Sequence, residues 1–230
     1  MNERITKEIV DKIFANVFNC ENPFTVQEIF EKFAYDLNLP KEVKDSVTGE
    51  STWAISINPT KFISQKNSFK IESWMQEKVE LTGLEDILKI WDKINYTTTE
   101  RCFDSVNTIE SDTVYQSENM IRSSNSFGSK NVVFTDGSYG NEYVLASRSA
   151  KNCQYSIKID ESSNCTNSYH VTNSDNISNS MFIRDCTSLH ECIFCSYISN
   201  KKFCIANMQF EEEEYYAMKK EIIKWIINKG

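Results

Sequence analysis

The run Cys186-Thr187-Ser188-Leu189-His190-Glu191-Cys192-Ile193-Phe194-Cys195, with Cys204 close behind, sets thiols and an imidazole at the short spacings that tetrahedral Zn²⁺ sites use. Cys186, His190, Cys192 and Cys195 are therefore candidate metal ligands. His170 and His190 are the two histidines of the chain, and either imidazole could act as general base on an acceptor hydroxyl in an acyl transfer. Phosphate-cradling glycine loops, dinucleotide fingerprints and HExxH motifs are absent from the sequence. The chemistry open to these residues depends on the elements that carry them, and those elements are written in a repeat.

Stepping by six from Phe103 gives Ile109, Tyr115, Ile121, Phe127, Val133, Tyr139 and Leu145. After one eight-residue step the series resumes at Cys153 and runs through Ile159, Cys165, Val171, Ile177, Ile183 and Leu189 to Cys195. All sixteen positions are apolar. A small-residue column accompanies them, Ser105 to Ser147 in the first block and Ser156 to Ser180 in the second. A period of six fits neither a helix nor a simple alternation, but it fits a coil of short strands and corners in which Ser and Asn take the turns. Three hexads per turn predict a triangular β-solenoid of about five coils, roughly 25 Å tall at the spacing of paired strands. The apolar column is expected to point inward, with Ile157, Tyr169, Met181 and Ile193 facing inward beside it in the second block. Ile121 belongs in that core, and Arg122, its neighbour, is expected to tolerate substitution.

The same repeat accounts for the thiols. Cys186 and Cys192 continue the serine column and Cys195 continues the apolar one, so buried thiols suffice and no metal is required. We expect no catalytic, cofactor or metal site.

Residues 1–97 read as a mainly α-helical domain. Ile5, Ile9, Ile13 and Val17 mark one amphipathic helix. Thr25 with Glu28 is a capping box before a second, ending at Pro40, and Thr82 with Glu85 repeats the signature before a third carrying Ile87, Leu88, Ile90, Trp91 and Ile94. Trp53, Ile55 and Ile57 alternate as a short strand. Trp53, Phe62, Trp74 and Trp91 are expected in the core. Residues 98–206 form the solenoid, and 207–230 a C-terminal capping helix whose apolar face is Tyr215, Met218, Ile222, Trp225 and Ile226. The fold class expected is thus α+β.

Lys and Arg number 25 against 33 Asp and Glu, a net charge of −8 that gives no reason to bind a phosphate backbone. Residues 101–200 carry 11 acids against 7 bases, a weak field for imitating a duplex. The charged first dozen residues look unlike a signal peptide or a membrane span, so a cytoplasmic protein with free thiols is expected, or a virion protein if phage-encoded.

The segment Asn200 to Tyr216, NKKFCIANMQFEEEEYY, with the preceding CTSLHECIFC, resembles the endings of a loose group of uncharacterised Cys- and Asn-rich repeat proteins. These close with an N-K-x-aromatic-C-I-x-N run and a Glu-rich helix. The resemblance covers about the last third of the chain, implies a hexad-repeat solenoid and carries no activity with it. The function expected is a non-enzymatic structural or interaction module with a protein partner or a second copy, such as a phage virion component, without nucleic acid or membrane. The alternative is a hexapeptide-repeat acyltransferase using His170 or His190.

Overall fold

The computed structural model describes residues 3–57 and 61–229. A parallel β-solenoid fills residues 102–205, flanked by helices at both chain ends. The N-terminal helices are α1 (Glu3–Phe18) and α2 (Val26–Phe33). Strands β1 (Lys41–Lys44), β2 (Ser51–Ala54) and β3 (Phe62–Ser64), the short α3 (Gln65–Ser68), α4 (Leu84–Asp92) and β4 (Thr97–Thr99) lead into the solenoid. Helix α5 (Glu212–Lys229) ends the chain. No helix among the described residues is long and apolar enough to cross a membrane.

The coil is smaller than three hexads. Cys102 pairs with Val114, Val114 with Ser126, Ser126 with Ser138 and Ser138 with Ala150, so the chain returns to its own column every twelve residues. Each coil therefore holds two six-residue steps, and residues 102–205 make about nine turns instead of five. At strand spacing the stack is roughly 40 Å long, not 25.

The backbone explains the tighter closure. From Asp104 to Ala206 every third residue lies in the left-handed region, with non-glycine φ between 44° and 62° and Gly128, Gly137 and Gly140 completing the series. A left-handed residue after every two extended ones turns the chain four times per coil. Asn and Gly tolerate that conformation best, which is why Asn recurs through this part of the sequence. Neighbouring Asn side chains also bond up the stack, as Asn107 Nδ2 to Asn119 Oδ1 (2.9 Å) and Asn119 Nδ2 to Asn131 Oδ1 (2.8 Å) do.

Every third residue also faces the interior. Val114, Met120, Val132, Val144 and Ala150 fill it in the first half, and Cys153, Ile159, Cys165, Val171, Ile177, Ile183, Leu189 and Cys195 in the second. The second apolar block is inward as expected; the first is not. Ile121, Val133 and Leu145 point outward and are buried beneath the helices, together with Ile157, Tyr169, Met181, Ile193 and Ile205. Phe103, Tyr115, Phe127 and Tyr139 lie outside on the opposite flank. The eight-residue step is no break, because Leu145 still pairs with Ile157 in unbroken register. The apolar residues simply change columns inside the coil.

The inner serines are structural. Ser111 Oγ donates to the Ile109 carbonyl (2.9 Å) and accepts the Ser123 N–H (3.1 Å); Ser123 Oγ does the same with Ile121 (3.0 Å) and Thr135 (3.2 Å). Each hydroxyl thus satisfies a corner N–H one coil further on, as a buried polar group must be satisfied.

The helices plate one flank instead of sealing the ends. Phe18 of α1 and Phe33 of α2 pack on Tyr169, Phe14 packs on Phe33 behind them, and Phe30 meets Phe134 at 5.3 Å. The capping box at Thr25 and Glu28 is formed. Helix α5 is not a cap over the last cross-section. Tyr215 meets Phe203 on the last coil, Lys219 reaches back to Asn179 and Glu191, and Lys32 of α2 bonds to the Ile227 carbonyl. Its buried residues include Tyr215 and Ile226, while Met218 and Trp225 stay exposed.

The ends are closed by other means. At the first coil, Gln65 Oε1 accepts the Cys102 N–H (2.7 Å) and Asp112 accepts the Ile55 N–H (3.1 Å). Asp45, buried beneath, takes the N–H groups of Val47 and Ser64 and the Asn67 amide, and those bonds hold its carboxyl far below the usual range although burial alone would raise it. At the last coil, Asn207 bonds both the N–H (3.0 Å) and the carbonyl (2.9 Å) of Ser196, and the short strand Met208–Gln209 turns back antiparallel. The expected box at Thr82 and Glu85 is replaced: the N-cap of α4 is Gly83, and Thr82 bonds to Asp86 instead. Trp74 and Trp91 are exposed, against their expected place in the core, and α4, which carries Trp91, buries none of its residues.

Candidate functional site

Two outward columns frame a groove along one edge of the solenoid, where the helix-plated flank ends. One column is Lys158, His170, Phe182 and Phe194; the other is Asp160, Thr172, Arg184 and Ser196, whose members are direct partners in successive coils. Their left-handed and extended positions splay the side chains apart. The upper part is a cavity of about 300 Å³ lined by His170, Thr172, Phe182, Arg184, Phe194 and Ser196. A smaller one of about 120 Å³ continues past His170 to Tyr35 and Asp36.

Its charges are mostly paired. Arg148 binds Asp160 through two nitrogens (2.8 and 2.6 Å), and Lys158 binds Asp36 (3.0 Å). Burial, with Lys158 and Arg184 nearby, pushes the His170 imidazole below its ordinary value, so the ring is neutral at neutral pH. It packs against Phe182 at 5.4 Å and Tyr169 at 5.9 Å and makes no hydrogen bond among the described residues. A general base needs a partner that orients it, and aromatic walls do not supply one.

His190 sits on another column. Its Nδ1 is 2.8 Å from Ser178 Oγ, the residue directly beneath it in the ladder. The next residue up is Lys202, so nothing acidic continues the Ser–His pair toward a relay. Ser178 was not singled out in the sequence; its twelve-residue offset from His190 becomes meaningful once the coil length is known.

The structure separates the histidine from the thiols. Cys186, Cys192, Cys195 and Cys204 are buried inside the last coils, while His190 projects outward. No group of three or more His, Cys, Asp or Glu suited to a metal is present among the described residues. The thiols behave as enlarged serines: Cys186 Sγ donates to the Arg184 carbonyl (3.1 Å) and Cys153 Sγ to the Lys151 carbonyl (3.2 Å). Burial pushes the Cys186 thiol up, away from thiolate chemistry.

The flank opposite the helices is open. Phe103 and Tyr115 stack there with centroids 5.5 Å apart, and Phe127 and Tyr139 continue the column one coil at a time. Phe127 is 50% exposed and Tyr139 42%. Gly128 follows Phe127 with open space around it, whereas Gly140, after Tyr139, lies against the Asn152 amide, whose Oδ1 is 2.7 Å from where a Cβ would stand. Fold and surface together define a β-solenoid of twelve-residue coils, plated on one flank and open on the other. Comparison with protein families, with curated proteins and with solved structures gives no match.

Proposed function

We propose that the chain is a non-enzymatic structural or protein-interaction module, a rigid solenoid serving assembly or docking. The particle would be a large one such as a phage virion, and the compartment the cytoplasm or that virion. The observation that supports this is the open aromatic column Phe103, Tyr115, Phe127 and Tyr139, an ordered apolar stripe on a stiff frame. Exposed contiguous aromatics mark contact surfaces, and a rigid frame limits the ordering cost of binding.

A benzophenone side chain placed at Phe127 and activated by light in the native cells tests the reading. A discrete protein adduct, lost in a Tyr139→Asp background that keeps its melting temperature, is the expected result. No adduct, together with acyl-CoA turnover by the purified chain that stops in His170→Ala, would replace this reading with the acyltransferase.

A further inference from the structure

An amphipathic helix normally hides its apolar stripe, as α1 does on the plated flank. Helix α4 has such a stripe in Leu84, Ile87, Leu88 and Trp91, yet none of its residues is buried. Leu84 is 68% exposed and Trp91 53%. Met75, Val79 and Leu81, just upstream, are exposed as well, and Val79, Leu81, Ile87, Ile90, Trp91 and Ile94 line an apolar hollow of about 290 Å³. The element is held in place: Lys61 Nζ bonds both the carbonyl and the carboxylate of Asp92 at 2.6 Å, and Trp74 packs on Tyr96 at 5.8 Å. A positioned apolar surface of this extent marks a contact site.

The rim decides the occupant. Residues 71–95 contain Glu72, Glu77, Glu80, Glu85, Asp86 and Asp92 against Lys78, Lys89 and Lys93. Asp92 is paired with Lys61, while Glu72, Glu77, Glu80, Glu85 and Asp86, like Lys78, Lys89 and Lys93, have no ion-pair partner among the described residues, which leaves the stretch net acidic. A second copy, with the same acidic rim and a net charge of −8, would bring like charges together, and an anionic membrane would be repelled in the same way. We propose that the patch around Trp91 docks an amphipathic helix of a protein partner, with apolar anchors on one face and Lys or Arg on the other. This rests on the interaction reading above and names the partner's chemistry.

Two synthetic helices of about 18 residues provide the probe, sharing a Leu/Trp face and differing only in Lys or Glu on the polar face. Each is titrated into the full chain and followed by fluorescence anisotropy. The Lys helix is expected to bind in the micromolar range, with affinity falling about tenfold or more for the Glu helix and for the Trp91→Glu protein. Trp91→Glu adds negative charge, so a contact that was merely electrostatic would strengthen. No binding of the Lys helix, equal binding of both helices, or binding unchanged by Trp91→Glu would overturn the proposal. So would self-association that Trp91→Glu abolishes, or binding to phosphatidylcholine vesicles through the same residue. The Phe127 crosslink is independent of α4, so an adduct there alongside any of these outcomes would sink this inference and leave the broader reading standing.

Discussion

The guanidinium carbon of Arg122 lies 4.6 Å from the centroid of the Phe30 ring, and this contact bolts α2 to the second coil. Trp53 covers the same guanidinium at 5.4 Å, tying in the strands that close the first coil. The sequence alone makes Arg122 a neutral surface position, because the residue after an apolar column reads as solvent-facing. Arg122→Asp is instead expected to lose about 2 kcal/mol or more, since a desolvated cation–π contact is worth that much and the new carboxylate would meet the electron-rich ring faces without a partner. Arg184→Asp, in the groove and unpaired among the described residues, is the matched control and should stay within about 0.5 kcal/mol. Urea midpoints of the two variants compare them directly, and equal midpoints would mean that Arg122 holds nothing.

Ile121 still cannot accept a charge, although the reason has changed. It is buried between coil and helix. Ile121→Asp is expected to strip α1 and α2 from the flank, seen as lost helical ellipticity, before the solenoid itself unfolds.

The inner hydroxyls carry a backbone load. Removing Ser123 Oγ would leave the Thr135 N–H without an acceptor inside the stack. Ser123→Ala should therefore cost about 1 to 3 kcal/mol, the usual penalty for a buried orphan donor. Ser123→Cys should cost less, because the Cys153 and Cys186 sulfurs fill equivalent inner positions in other coils and, like Ser123 Oγ, donate to the carbonyl two residues back. Both are read from denaturant midpoints. A Ser123→Ala protein as stable as the parent would show that the corner N–H finds another acceptor.

The period was legible because one side chain per half coil must be apolar, and a spacing of six survives any choice of column. The phase was not legible. With inward residues every third position, both the Phe103 series and the Ser105 series satisfy a six-residue step, and hydrophobicity favours the wrong one. The Phe103 series is apolar for two other reasons: Ile121, Val133 and Leu145 meet helices, and Phe103, Phe127 and Tyr139 form the open stripe. Coil length was hidden too, because left-handed residues such as Tyr143, Lys158 and His170 carry no sign of their φ in their identity. The zinc candidates failed on the same point, since knowing the coil puts His190 outside and its neighbouring thiols inside.

Thiol reactivity follows from that placement. Cys153, Cys165, Cys186, Cys192, Cys195 and Cys204 are buried, and Cys20 and Cys102 are half-buried. In native buffer a thiol reagent should modify Cys20 and Cys102 first and the other six only as the chain unfolds. Metal analysis should find no stoichiometric zinc, and a strong chelator should leave the melting curve unchanged. One zinc per chain, lost together with the fold, would sink this account of the cysteines.

Removing helix α5 and removing the end closure should fail in different ways. Lys219 of α5 reaches Glu191 at 2.7 Å, with 15% and 8% of the two side chains exposed, and Tyr215 packs against Phe203 beside them. Deleting residues 211–230 would uncover Met181, Ile193 and Ile205 on the flank and leave Glu191 without its cation, so a less stable chain that binds a hydrophobic dye and clumps without order is expected. The last coil would still be closed, since Asn207 bonds Ser196 and Gln209 Nε2 donates to the Lys202 carbonyl at 2.7 Å. Changing both to Ala spares the flank but bares a strand edge. That variant should melt near the parent temperature and associate end to end, because unpaired edge groups template further strands. Electron microscopy separates amorphous clumps from rods. Rods from the deletion, or a double-alanine variant that stays monomeric at high concentration, would mean that α5 closes the end after all.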